Sequence, residues 1–456
     1  MKLCHLAGVC RIAITFTMVC SYVFAFGTQV YGASKGQSGK DELDYLEKLY
    51  KTLHQNPELS LQEVKTSARL AKELKYAGYE VTTKVGGTGL VGVLKRGAGP
   101  VIMIRADMDA LPVEEKTGVP FASKVTVKKD GKKVKLMHAC GHDMHMAVWA
   151  GVARAMSRDK SWKGTLIMVG QPAEEIGAGS KAMIEDGLFT RFPRPDYNLA
   201  LHVTNKIPAG AIGLVSGYAL ANVDTIDIVV KGKGGHGSAP HTTKDPIVLA
   251  SRIVLDLQTI VSREINPLEP AVLTVGSIHG GTKHNIIPGE VKLELTLRSY
   301  KAKVRQQILS AIKRISRGAA LTAGLPEELM PVVTVKENFT PATYNNPAMV
   351  AQVKEAASAL LGDKRVIMAG PIMGGEDFGR YGLEEPKIPS VIFWLGGGSY
   401  KALKAGKKPV SNHSPYYIPE WRPTIGTGVK VMTGIATHFL NLRPELSSKK
   451  KAQDKL

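Results

Sequence analysis

Between Lys135 and Ala147 the chain reads "KLMHACGHDMHMA", which places one cysteine, one aspartate and three histidines in close succession. A thiolate from Cys140 and an imidazole from His142 suit zinc and similar borderline-soft divalent ions. On an extended segment, positions i and i+2 send their side chains to the same side. Carboxylates and further imidazoles stand elsewhere: Asp107 follows the apolar run "VIMIR", and Glu174 and Glu175 follow "TLIMVGQ" and Pro172. His202 ends "YNLAL", and His413 lies in "SNHSPYY". Paired carboxylates at the end of a buried strand can divide labour, one coordinating an ion and the other taking a proton from water. Two other readings compete. Cys140 could be a nucleophile with His138 or His142 as its base, or the stretch could be a helix start capped by Asp143 with incidental histidines. The Cys-x-His spacing fits no zinc finger, HExxH is missing, and a lone cysteine cannot form a redox CxxC.

These residues need a scaffold that brings them together. "DELDYLEKLYKTLHQNP" has helical spacing at Leu43, Leu46, Leu49 and Tyr50 and stops at Pro57; "SLQEVKTSARLAKELKYAGY" predicts a second helix closing near Gly78. "PVIMIRADMDALP", "GTLIMVGQPAEE", "YNLALHV" and "IPSVIFWLGGG" read as buried strands, with a helix, "MAVWAGVARAMS", between the first two. This alternation predicts an α/β fold with a mixed, mostly parallel sheet and helices on both faces. Such sheets bind ligands at the carboxyl ends of their strands. From about Tyr218 to Val335 the strands alternate as half-exposed ones do and two long helices separate them, which predicts an inserted α+β lid or dimerisation domain. The expected division is a signal peptide 1–32, a linker 33–40, catalytic segments 41–217 and 336–442 around an insertion 218–335, and a basic tail 443–456.

The first segment carries Lys2 and Arg11, then "IAITFTMVCSYVFAF", then small residues with Val30 and Gly32 placed for cleavage. Fifteen apolar residues are short for a membrane span. Export to the periplasm or medium follows as an expectation, with no membrane anchor after cleavage. Removal would take Cys4, Cys10 and Cys20 and leave Cys140 with no disulfide partner. The formal charge is +20. No aromatic–basic interleaving or helix-turn-helix pattern supports a nucleic-acid partner. The lysine-rich stretch "VTVKKDGKKVKL" predicts a hairpin turning at Asp130-Gly131, expected to rim the site with positive charge and favour anionic substrates.

In order along the chain, "LHQNPELS", "RADMDALP", "MHACGHDMH", "QPAEE", "ALHV", "GGHGSAPH", "NIIPGE", "GGEDFG" and "NHSP" closely resemble the M20 family of metallopeptidases, in its amidohydrolase branch of N-acyl-amino-acid, hippurate and auxin-conjugate hydrolases. The resemblance spans roughly Leu43 to Leu442. It implies two divalent metal ions, zinc first, with manganese, cobalt or nickel as alternatives. Cys140, His142, Glu175, His202 and His413 would be the ligands, Glu174 the general base and acid, and Asp107 the group orienting a ligand. It also implies a homodimer in which His236 stabilises the oxyanion of the neighbouring subunit's site. Asn285 and Arg298 would hold the substrate's amide region and carboxylate, and Gly374 and Gly375 would line the pocket. His138, His145, His241 and His284 are expected to be supporting or loop residues, and Phe378 and Trp394 core residues. Pro423 departs from the branch, falling where its members continue a helix. The expected activity is hydrolysis of the amide bond in N-acyl-amino acids or small peptides with a free carboxylate. Aminopeptidase or peptidoglycan-peptide trimming, a catalytically silent binding protein, and an envelope-binding module acting through the basic surface are the alternatives.

Overall fold

The computed structural model describes residues 37–337 and 339–442. The expected signal peptide and basic tail lie outside the described residues, as does most of the expected linker; its residues 37–40 open the helix Gln37–Gln55 rather than a linker. Leu46, Leu49, Tyr50 and Leu53 form the buried stripe of that helix. The next helix, Val64–Tyr76, buries Leu70, Ala71 and Leu74 and ends on Gly78, whose φ of 80° suits the left-handed closing residue of a helix.

The large sheet has eight strands in the order Glu80–Val85, Gly89–Arg96, Gly164–Gln171, Val101–Asp107, Tyr197–Pro208, Ser390–Gly398, Ile212–Leu214 and Val366–Met368. Its four central strands, Gly164–Gln171, Val101–Asp107, Tyr197–Pro208 and Ser390–Gly398, pair in parallel, while the outer pairings are mostly antiparallel. Central strands are apolar on both faces because both faces are covered. On one side, Trp149, Val152 and Met156 of the helix His142–Arg158 meet Val431, Ile435 and Phe439 of the helix Trp421–Leu440 in one core. A second core, with Met183, Phe378 and Tyr381, fills the other side. Pro423 sits in the first turn of Trp421–Leu440, where the missing N–H costs no intrahelical bond.

A separate antiparallel sheet orders Ala271–Gly280, Glu290–Ser299, Asn222–Lys231 and Val332–Val335. Helices Pro246–Thr259 and Ala302–Thr322 cover one face, closing a core of its own around Ile228, Ile253, Leu293 and Ile308. Tyr218 belongs instead to a two-stranded ribbon of Gly217–Leu220 with Thr343–Asn345. Among the described residues no helix is long and apolar enough to cross a membrane.

Candidate metal centre

The Cys140–His142 pair converges, but not as neighbours on an extended segment. Gly141 between them adopts φ 88°, a left-handed turn, and stands at the N-cap of the helix that begins with His142. Asp143 is therefore not the cap. It lies in the first turn, accepts the N–H of Met144, and turns its other oxygen to His54 Nδ1 at 2.6 Å. The strand carrying His202 also runs on past it, to Pro208, so His202 projects from mid-strand.

Cys140 Sγ lies 3.2 Å from His413 Nε2 and 3.5 Å from His202 Nε2. Glu175 Oε2 is 3.5 Å from His413 Nε2, and its Oε1 is 3.8 Å from His142 Nε2. Glu174 Oε2 is also 3.8 Å from His142 Nε2. The donor atoms of Cys140, His142 and His202, of Cys140, Glu175 and His413, and of His142, Glu174 and Glu175 lie within 4.8 Å of one another in each set. Ligands held about 2.0–2.3 Å from one tetrahedral ion are separated by about 3.3–3.8 Å, close to the 3.2–3.8 Å between these atoms.

Two further observations fit a divalent cation. His142 Nε2 and Glu175 Oε1 are buried without a hydrogen-bond partner, a costly state for polar atoms that nothing else satisfies. The site also concentrates acids. Burial pushes the Glu175 carboxyl up to about 7, with Asp109 and Asp107 adding to the effect against the pull of His142. Burial, then Glu376 and Glu175, raise Glu174 well above the ordinary carboxylate range. Cations among these groups would restore the charged forms. Burial and Glu175 likewise push the Cys140 thiol up, which is the reverse of what a cysteine nucleophile needs.

Three groups that the pattern of residue types left unassigned hold this arrangement. Asp109 accepts the backbone N–H groups of Glu174 and Glu175 at 3.2 and 3.0 Å, and the hydroxyl of Ser60 at 2.7 Å. Its carbonyl oxygen lies 2.8 Å from His142 Nδ1, which leaves Nε2 free to face the donor cluster. Arg105, fully buried, pairs with Asp107, Glu376 and Asp377. Asn412 donates to the Cys140 and Val203 carbonyls, tying the His413 loop to the Cys140 turn. A signal for two of these was available: Arg105, Asp107 and Asp109 recur at every second position at the end of a buried strand.

Asp107 stands between two histidines, with its Oδ2 3.7 Å from His142 Nε2. Its Oδ1 is 2.6 Å from His145 Nδ1, and His145 Nε2 accepts the N–H of Val203. Asp107 thus orients His145, and both nitrogens of His145 are engaged, while Asp109 is the residue bonded to His142. Backbone strain marks the site as well: Ala173 (φ 52°), before Glu174, and His413 (φ 68°) occupy the left-handed region without being glycine. Glu63 accepts the N–H of Ala173 and helps hold that turn.

Over the cluster opens a cavity of about 830 Å³, whose wall includes Arg298, Gly374, Gly375, Trp394, Leu220 and Ile372. Arg298 donates to the Met373 carbonyl at 2.9 Å, and Gly374 accepts from the Ala221 N–H. Gly375 has no room for a side chain, since a Cβ would strike Val223. Phe378 is core, and Trp394, half-buried, packs against that same core while also lining this wall, its ring edge-to-face on His202. His236 and Asn285 do not line the cavity. Both are exposed on a small ribbon where Gly235–His236 pairs with Ile286–Ile287, and His236 Nδ1 is held by the Ser238 hydroxyl at 2.7 Å. The lysine-rich hairpin, Thr126–Lys129 with Lys132–Lys135, turns at Asp130 (φ 50°) and Gly131 (φ 76°). None of its residues lines the cavity either, so it does not rim the site as expected.

Residues 103–438 match the model of Peptidase family M20/M25/M40. The chain is 38% identical over 372 residues to an N-acetyl-L-cysteine deacetylase of Bacillus subtilis, covering 79% of this chain and 83% of the relative. It is 37% identical over 362 residues to thermostable carboxypeptidase 2 of Saccharolobus solfataricus, covering 78% and 87%. Among solved structures, a dinuclear metal binding peptidase from Bacillus subtilis superimposes with a TM-score of 0.72 at 30% identity, covering 88% of this chain and 99% of that one.

Proposed function

The chain belongs to Peptidase family M20/M25/M40 and is a metal-dependent hydrolase; from that premise we propose that it cleaves the amide bond of N-acyl-amino acids or small peptides with a free carboxylate. The observation that carries the proposal is the convergence of Cys140, His142, Glu175, His202 and His413 within bonding reach of shared ions, with Glu174 beside them at the cavity floor.

Two divalent ions, zinc first, would be held by those five side chains and would supply a water that is acidic near neutral pH. Glu174 accepts the proton of the attacking water and passes it to the leaving nitrogen. The pair is kept in place by Asp109, which fixes both backbone N–H groups. Arg298, on the cavity wall, offers a planar fork to the substrate carboxylate. His236 and Asn285 stand on an exposed ribbon, where they can serve the cavity of a second copy in a homodimer. His236 would then donate to the developing oxyanion, a role whose loss typically costs about 10²–10³ in turnover. The residues ahead of the described chain support export, since a basic, apolar and small-residue order is that of a secretory signal.

The test is a metal-reconstituted screen of N-acyl-amino acids and dipeptides, each with its free carboxylate and as the carboxamide. Turnover of the acids with at least tenfold lower kcat/KM for the carboxamides is expected. Equal turnover of both would remove Arg298 from carboxylate binding, and no hydrolysis of either would defeat the proposal.

A further inference from the structure

We propose that the hairpin Thr126–Lys129/Lys132–Lys135 is a binding finger for a linear acidic polysaccharide, distinct from the catalytic cavity. The register sets Lys128 opposite Lys133 and Lys129 opposite Lys132 on two successive rungs. Directly opposed like charges destabilise an antiparallel pair. Across these two rungs the hairpin holds four lysines, all exposed, and none of the four makes an ion pair among the described residues. Only Lys135, at the base, is neutralised, by Glu114 at 2.6 Å. Packing and turn chemistry do not require this arrangement. Val127 faces Val134, and the Asp130-Gly131 turn would close the ribbon with any polar pair on those rungs. A segment that violates a local rule without an internal return points to an external partner, and that partner must be anionic.

The shape of the finger selects among anions. Successive rungs point to opposite faces of a β-ribbon, so Lys128 and Lys133 project from one face and Lys129 and Lys132 from the other. A flat bilayer can meet only one face or the tip, and the tip is Asp130-Gly131, with no apolar side chain to insert. A flexible chain can contact both faces. The finger has no arginine for bidentate phosphate recognition and no aromatic ring on which a base could stack, which disfavours nucleic acid. Lys128, Lys133 and Lys135, with Thr126 and Val127, border an open surface depression, where sugar rings can lie beside the three ammonium groups.

The experiment uses the full chain with its metal and fluorescein-labelled polygalacturonate as the probe. Wild type should bind with an affinity that weakens about tenfold between low and physiological salt. The K128Q/K129Q/K132Q/K133Q variant should lose at least about tenfold in affinity, with hydrolysis of a small acyl-amino acid unchanged. A control, K401Q/K404Q/K407Q/K408Q, removes the same charge from another exposed, lysine-rich segment and should bind within about twofold of wild type. A folding check accompanies them: Lys128→Glu creates an opposite-charge pair with Lys133 and should raise the melting temperature. Absence of binding by wild type overturns the proposal. So does equal loss in both quadruple variants, which would mean diffuse attraction to net charge. Tighter hairpin-dependent binding to single-stranded DNA or to phosphatidylglycerol vesicles than to the polyuronate also overturns it.

Discussion

His54 Nδ1 lies 2.6 Å from Asp143 Oδ2, both side chains fully buried, and the other ring nitrogen of His54 is 3.0 Å from Glu115. Asp143 adjoins His142, so this pair anchors the first turn of the helix that presents a metal ligand. Burial alone would lower the His54 pKa, but the bonds to Asp143 and Glu115 outweigh it and push it up to about 9. A raised folded-state value contributes stability that is complete below the unfolded value near 6.5 and lost as pH rises through about 9. The difference corresponds to about 3 kcal/mol. Denaturant melts from pH 6 to 10 should show this loss in wild type and not in His54→Gln, which should be less stable at pH 6; parallel pH profiles would refute the pairing.

Glu174→Gln should retain full metal content by elemental analysis while turnover drops about 10²–10⁴-fold. Chelation should abolish wild-type activity, and restoring the metal should recover it. Wild-type rates in the glutamine variant would remove Glu174 from proton transfer.

Asp109 predicts an effect larger than its distance from the substrate suggests, because it fixes both glutamates of the pair and bonds His142 through its own carbonyl. Asp109→Ala should weaken metal binding about 10–100-fold in a competition titration with a chromophoric chelator. Asp109→Asn keeps one acceptor oxygen and should lie between. Metal affinity equal to wild type in both would show that the glutamate turn holds itself.

Gly141→Ala tests the turn that joins two ligands. The left-handed φ of 88° costs an alanine about 1–2 kcal/mol, and the new Cβ would strike Val203. Loss of metal stoichiometry with the thermal transition still cooperative is the expected result. Full metal loading in this variant would mean that the turn can reorganise without parting Cys140 from His142.

Cys140 should resist iodoacetamide while metal is bound, and alkylation, followed by mass spectrometry, should accelerate on chelation. Its burial at 7% exposure slows both rates, so the ratio is the informative quantity. An unchanged rate would take Cys140 off the metal.

Much of this molecule can be read from residue order. Continuous apolar runs such as "VIMIR" and "TLIMVG" specify buried strands because both faces of the sheet are covered, and the polar residues that follow them mark the crevice. Residue type limits which side chains can bind a borderline-soft divalent ion, and the family resemblance of the motifs that hold them singles out Cys140, His142, Glu175, His202 and His413. Local chemistry also specifies the Asp130-Gly131 turn. What residue order could not decide is which polar groups face each other. His138, His142 and His145 look alike in the sequence; packing sets them apart, giving both nitrogens of His145 to Asp107 and Val203 while leaving His142 Nε2 without a partner. Asp107 and Asp109 are likewise equivalent in type, and only the crossing of the "QPAEE" turn over the strand end makes Asp109 the one that holds the glutamates. A side chain's chemistry is intrinsic to its type, but which of its atoms remain free depends on contacts between segments distant in sequence, and those exist only once the chain is folded.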